Sequence, residues 1–153
     1  SGLIGEDPRG IPNNLLPYIA QVAVGKLPIL NVYGNDYPTP DGTCIRDYIH
    51  IADLVSAHIL ALGALDSRDK MIYNIGSGNG FSVREVIETA RQVTGHAIPV
   101  VESPRRPGDS ARLVASPQKI IRELGWKPTH TNMQDILSSA WEWHKLHPNG
   151  YEM

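Results

Sequence analysis

A single cysteine, Cys44, occurs in the 153 residues. No internal disulfide can form, which suits a reducing cytoplasm. No apolar run approaches the ~18 residues that a spanning helix requires. The opening stretch, Ser1 to Pro8, lacks the basic-then-apolar layout of a signal peptide. Positive charge is not in excess: a formal net charge of -2 with 20% charged residues argues against a general nucleic-acid binder, which carries a basic face. There is no internal repeat, no low-complexity segment and no initiator Met, so the chain reads as one ordinary domain cut from something longer. At this length roughly 68–70% of the unfolded surface can be buried, so a core forms without staples. One further absence concerns chemistry. Tyr33, Tyr37 and Tyr48 have no lysine four residues on, so none begins a Tyr-x-x-x-Lys acid/base pair.

What is present is an alternation of short strands and helices. Residues 1–12, rich in Gly and Pro, form a loop. Leu15, Leu16, Ile19, Ala20 and Ala23 recur at helical spacing, which predicts a helix from Asn14 to Gly25. Asn14 is the better cap, because Pro17 then falls where a missing N–H costs nothing. Strands are expected at Ile29–Tyr33, Ile45–Ile49, Met71–Ile75, Ile98–Val101 and, more briefly, Arg112–Ala115. A helix from about Ala52 to Leu65 carries Leu54, Val55, His58, Ile59, Leu62 and Leu65 on one side. Ser82-Val83-Arg84-Glu85 is a capping box opening a helix to Thr94, with Gly95 as stop. Ser116-Pro117 starts a helix closed by Gly125, and Thr131-Asn132-Met133-Gln134 reads as a second capping box before a last helix. The fold class is α/β, with five helices and strands able to pair in parallel.

Two arginine sites, about sixty residues apart, stand out: Arg46-Asp47-Tyr48 and Arg105-Arg106-Pro107-Gly108-Asp109. Each guanidinium is a planar fork suited to two-point contact with phosphate. Pro107-Gly108 makes a turn that can hold Arg106 and Asp109 on one side of a loop. A solvated turn with locally paired arginines is the plainer alternative. The start of the Asn14 helix is a second anion site, since free N–H groups and the helix dipole favour phosphate there. The strand end Asn31-Val32-Tyr33 offers backbone groups to a flat base edge. Together these features describe a nucleotide-diphosphate site that needs no glycine-rich loop.

Other motifs carry less. Gly76-Ser77-Gly78-Asn79-Gly80 before a helix, with Glu102 further on, imitates a dinucleotide fingerprint. Phe81, however, occupies the position where a small residue should let helix and strand approach. His144 and His147 have no cysteine or acid at ligand spacing. Cys44 reads as a small packed thiol, His50 and His58 as satisfied polar or core residues, and Trp126, Trp141 and Trp143 as core or interface.

In order along the chain, Gly5-Glu6-Asp7-Pro8-Arg9-Gly10-Ile11-Pro12-Asn13-Asn14-Leu15-Leu16-Pro17-Tyr18-Ile19, Val32-Tyr33-Gly34-Asn35-Asp36-Tyr37-Pro38-Thr39, Asp41-Gly42-Thr43, Arg46-Asp47-Tyr48-Ile49-His50, Ile72-Tyr73-Asn74-Ile75-Gly76-Ser77-Gly78, Arg105-Arg106-Pro107-Gly108-Asp109 and His147-Pro148-Asn149-Gly150-Tyr151 resemble the UDP-glucose (UDP-galactose) 4-epimerase family of the extended short-chain dehydrogenase/reductase superfamily. The resemblance covers the C-terminal half of such an enzyme. It implies a C-terminal nucleotide-sugar-binding domain over residues 1–153, including pieces that would join a Rossmann sheet in the missing half. It implies that Asn14, Leu15 and Leu16 hold the diphosphate side, that Asn31, Val32 and Tyr33 meet the uracil, and that Arg46 and Arg106 grip the phosphates. Asp109 would take the ribose hydroxyls, and Tyr48 would belong to the same site. Leu113, where some relatives carry tyrosine, would leave room for N-acetylhexosamine nucleotides. The implied reaction is transient oxidation at C4 of the hexose. NAD and the catalytic tyrosine lie in the missing half, so this chain alone should be inactive. The resemblance also implies a UDP-hexose partner and allows a homodimer of the full-length enzyme; neither nucleic acid nor membrane is an expected partner. Two rivals remain: a related nucleotide-sugar decarboxylase or dehydratase, and a non-catalytic nucleotide-binding module.

Overall fold

The computed structural model describes residues 4–151. In chain order the elements are α1 (Leu15–Ala23), β1 (Leu30–Tyr33), β2 (Ile45–Asp47), α2 (Ile51–Ala64), β3 (Gly80–Ser82), α3 (Val83–Thr94), β4 (Val100–Ser103), β5 (Arg112–Leu113), α4 (Gln118–Leu124) and α5 (Met133–Leu146). β1 and β4 pair in parallel, from Leu30 opposite Val100 to Tyr33 opposite Ser103. The second sheet has the order β3-β2-β5, with β2 antiparallel to β3 and parallel to β5.

Local sequence accounts for most boundaries. Asn14 is extended (φ -96°, ψ 151°) and precedes α1 as its cap, although its side chain makes no capping bond. Pro17 therefore sits in the first turn, where an N–H would have no helical acceptor. Ser82 and Glu85 form the expected capping box: Glu85 N–H donates to Ser82 Oγ at 3.1 Å, and Ser82 N–H donates to Glu85 Oε2 at 2.7 Å. Gly95 ends α3 at φ 72°, a left-handed conformation that glycine adopts without penalty.

Several expectations are corrected. Met71–Ile75 forms no ladder, although burial alternates along it: Tyr73 and Ile75 pack inward while Ile72 is 69% exposed. The strand expected at Ile98–Val101 moves to β4, because Ile98 is buried with φ 43° and cannot continue a ladder. β5 is two residues long instead of four. β3 was not expected; the end of the glycine turn pairs with β2. The cap of α5 is Asn132, whose Oδ1 accepts from Asp135 N–H at 2.7 Å, rather than a Thr131–Gln134 box. Pro117, not Ser116, occupies the cap of α4.

The main core gathers Ile19 and Val22 of α1, Leu30 and Val32 of β1, Val86, Ile87 and Ala90 of α3, and Met133 and Leu137 of α5. A smaller cluster around Ala57, Ile120 and Trp126 joins α2 to α4. α2 departs most from its sequence pattern. Its buried residues are Asp53 and Ala57, while Val55, Ile59, Leu62 and the flanking Leu65 face outward. Asp53 is buried because its carboxylate accepts from Thr129 N–H (2.9 Å), Thr129 Oγ1 (2.8 Å) and His130 N–H (2.8 Å). Burial alone would raise its pKa; these hydrogen bonds outweigh burial and hold the carboxyl below its usual range.

Candidate functional site

A cleft of about 630 Å³ opens between the start of α1, the free edge of β1, the end of β2 and the 106–109 turn. The first two N–H groups of α1, at Leu15 and Leu16, belong to its wall together with Asn14. They have no acceptor within the helix, so this wall carries partial positive charge.

β1 supplies the second wall by its register. Leu30 N–H donates to Pro99 O at 2.9 Å and Gly34 N–H to Ser103 O at 2.8 Å, so even-numbered residues direct their backbone groups toward β4. Among the described residues this sheet has two strands. The peptide groups of Asn31 and Tyr33 consequently face the open edge, and both residues line the cleft. Val32 does not join them: its side chain is in the core and its backbone pairs with β4.

The two arginines meet on one carboxylate. Arg106 Nε donates to Asp109 Oδ2 at 2.8 Å, and Arg46 Nη2 lies 3.4 Å from Asp109 Oδ1. Two guanidinium groups and one carboxylate leave one positive charge, beside the start of α1. The turn that makes this possible has Pro107 and Gly108 at its centre, Gly108 at φ 85°, and Asp109 N–H donating to Arg106 O at 3.2 Å. That is a turn whose third residue favours glycine. Arg106 also lies over the Tyr33 ring, 4.9 Å from its centroid. The hydrogen bond to Asp109 raises the Arg106 pKa still further, so the group is always charged. Arg46 is held from behind by Ser110 O (2.7 Å) and Ile45 O (3.0 Å), which leaves it less free than Arg106.

Tyr48 lines the same cleft. Burial pushes its hydroxyl up to about 12, against the opposing field of Arg46, so it is neutral at physiological pH. Leu113 is absent from the lining. It is 56% exposed on β5, beside Arg46 in the ladder.

Neighbours of the two arginines take other roles. Arg105 pairs with Asp36 at 2.7 Å and lies 4.1 Å over the Tyr37 ring, bracing the turn from outside the cleft. Asp47 is an anchor. Its carboxylate accepts from Ser77 N–H (3.0 Å), Ser77 Oγ (2.6 Å), Gly78 N–H (3.4 Å) and Ala115 N–H (3.1 Å). Gly76 is required there, since a Cβ would strike that carboxylate. This arrangement also tests the glycine turn as a cofactor loop. The amides that would cradle a pyrophosphate are already occupied by an acid, and the turn does not fit a dinucleotide. Glu102 pairs with Arg84 and Asn35 instead of awaiting a ribose.

Cleft residues that local patterns missed are Glu6, Ile11 and Pro12, which the sequence marks only as loop, and Cys44 and Val83. No signal short of the tertiary contacts brings the amino-terminal loop to the arginines. Among the described residues no helix is long and apolar enough to cross a membrane.

Known proteins resemble this chain in sequence and in fold. The family model described as GDP-mannose 4,6 dehydratase matches residues 5–139. The UDP-glucose 4-epimerase of Dictyostelium discoideum is 52% identical over 153 residues, which is 99% of this chain and 44% of that protein. That of Yersinia enterocolitica is 54% identical over 151 residues, again 99% and 44%. A crystal structure of a UDP-glucose 4-epimerase superposes with a TM-score of 0.95 at 52% identity, covering 99% of this chain and 46% of the other. The Bifidobacterium longum UDP-glucose 4-epimerase in complex with NAD+ and UDP gives 0.89 at 48% identity, covering 98% and 44%. The chain thus spans less than half the length of these relatives and corresponds to their C-terminal part.

Proposed function

Since the chain belongs to the family that the GDP-mannose 4,6 dehydratase model describes, we propose that it is the UDP-sugar-binding, C-terminal portion of an NAD-dependent UDP-glucose 4-epimerase. The intact enzyme would interconvert UDP-galactose and UDP-glucose. The observation that carries this reading is the convergence of Arg46 and Arg106 on Asp109, across a cleft from the start of α1. A diphosphate matches that arrangement: its two charges face one guanidinium pair and two free helix amides. Residues 1–153 act as one nucleotide-sugar-binding domain. The peptide edges of Asn31 and Tyr33 take the uracil, Arg106 and Arg46 the phosphates, Asp109 the ribose hydroxyls, and Asn14, Leu15 and Leu16 the diphosphate side.

The chain's part in the reaction is to grip the nucleotide. Contacts made equally to substrate and transition state raise affinity without raising turnover, and they anchor one end while the hexose changes orientation. NAD belongs to the length of enzyme outside these residues, as does the acid/base pair. The intact enzyme works in the cytoplasm on UDP-hexoses, as a homodimer. Leu113 lies outside this cleft and is exposed on β5, so it bears on an extension of the substrate range to N-acetylhexosamine nucleotides only through a sugar pocket that the rest of the enzyme completes; absence of turnover of UDP-N-acetylglucosamine by the intact enzyme would refute that extension.

The deciding measurement is calorimetric titration with UDP. Arg106→Ala should weaken binding by about 10- to 100-fold, the usual loss for a charge-assisted pair. Unchanged affinity would remove the diphosphate from the arginine cleft. The chain by itself, supplied with NAD, should show no epimerisation of UDP-galactose.

A further inference from the structure

The two ends of the described chain meet beside this cleft. The Tyr151 hydroxyl donates to Gly5 O at 3.0 Å and accepts from Gly5 N–H at 3.0 Å. The Tyr151 N–H donates to Asp7 Oδ2 at 3.0 Å. These contacts bracket Glu6, which lines the cleft. Behind them stands Trp143 of α5, 1% exposed, with its ring centroid 5.1 Å from that of Tyr151 and stacked on His147 at 5.1 Å and 15°. Two glycines permit the close approach. A Cβ at Gly5 would fall inside the Trp143 indole, and one at Gly150 would strike the Asp7 carboxylate.

The segment held this way has little else to hold it. From Ile4 to Asn14 it forms no helix or strand, and Ile4 and Ile11 are 84% and 70% exposed. A segment with so few buried contacts opens easily unless tied at specific points. Yet it carries Glu6, Ile11, Pro12 and Asn13 into the cleft wall and leads directly into the cap of α1.

We propose that Tyr151 is a positioning residue for nucleotide binding: by clasping Gly5 and Asp7 it holds the amino-terminal wall of the cleft closed on the ligand. This rests on the reading that the cleft holds UDP. The clasp acts on affinity and not on the reacting atoms, so removing it raises KM and leaves kcat alone.

The test is UDP titration by calorimetry, with UDP-galactose kinetics, on the intact protein carrying Tyr151→Phe, Asp7→Asn, both, or Arg106→Ala. Tyr151→Phe keeps the ring on Trp143 and removes only the hydroxyl. It should raise the Kd for UDP about 3- to 10-fold, the effect of one lost hydrogen-bonding group, with KM rising in parallel and kcat within about twofold of wild type. Asp7→Asn should act in the same direction, and the double variant should lose less than the product of the two single losses. If Arg106→Ala weakens UDP binding while Tyr151→Phe and Asp7→Asn keep wild-type Kd and KM, the clasp is overturned and the site reading stands. If Arg106→Ala leaves UDP binding intact, the site reading fails and the clasp with it. A fall in kcat at unchanged KM would mark lost folded enzyme rather than a displaced wall, and would also overturn the proposal.

Discussion

α3 and α2 are comparable in length, 12 and 14 residues, and dispose of their apolar side chains in opposite ways. α3 alternates charged residues with Val86, Ile87 and Ala90, and buries all three in the main core. α2 is apolar along most of its length, yet it buries an aspartate and an alanine and turns Val55, Ile59 and Leu62 outward. A clean amphipathic stripe finds its partner within the chain. A helix apolar on several sides needs partners on several sides, and here α4 and Trp126 cover one. An exposed apolar face of this kind marks an interaction surface. On the proposed function, the remainder of the enzyme covers it, alongside the outward Ile72 of the unpaired 71–75 segment.

Substitution puts this contrast to the test most directly. Ile87→Ala, in the main core, should destabilise the chain by about 2–5 kcal/mol in urea unfolding. Ile59→Ala, 65% exposed on α2, should cost the chain no more than about 0.5 kcal/mol. Equal costs would break the comparison. A larger cost for Ile59→Ala in the intact protein than in the chain would sharpen it, because the side chain would then be covered.

Next in size is Asp53, the buried acid that ties α2 to the 129–130 connector. Asp53→Ala leaves the amides of Thr129 and His130 without their acceptor and should cost about 1–3 kcal/mol. The loss should appear in the fluorescence of Trp126, whose indole N–H donates to Asp53 O at 3.1 Å.

The smallest effect is a pH dependence that separates the same regions. Asp53 has a lowered pKa when folded, so its contribution is present above the ordinary carboxylate range near 4 and is lost as pH falls through the folded value. His50, at the cap of α2, is lowered by burial and then by His130, stacked 4.1 Å away; His144 of α5 is lowered by burial and then by Lys26. For both, stability is full above the unfolded value of about 6.5 and declines as pH drops below it, because the unfolded chain takes up protons more readily. The midpoint of urea unfolding should therefore fall between pH 7 and pH 5. His50→Gln should flatten the part of that slope belonging to α2. An unaltered slope would assign the dependence to other groups.

Much of this architecture was readable in advance because its causes are local. Ser82 with Glu85, Gly95 after Thr94, and Asn14 three places before Pro17 each act within one turn of backbone. Pro107-Gly108 turns the chain by itself and so sets Arg106 beside Asp109. Other features depended on distant segments. Asp47, next to Arg46 in sequence, turns to Ser77 and Ala115, which no local pattern shows. Val32, expected at the uracil with Asn31 and Tyr33, belongs to the core, because register sends alternate peptide groups to opposite edges. The amino-terminal stretch, a Gly- and Pro-rich loop by pattern and part of the family resemblance by order, forms a wall of the cleft.

Sequence alone determined where α1 and α3 begin, where α3 and α4 end, which turn carries an arginine next to an acid, and the kinship of the whole run of motifs, because capping, turn chemistry and residue order need no distant partner. Tertiary structure decided that Arg46 and Arg106 share one carboxylate, that the glycine turn serves an aspartate, and that α2 shows its apolar side to the outside. Those outcomes depend on which segments come within a few ångströms of each other, and loop closure, strand register and competition for buried donors decide that only when the whole chain has packed.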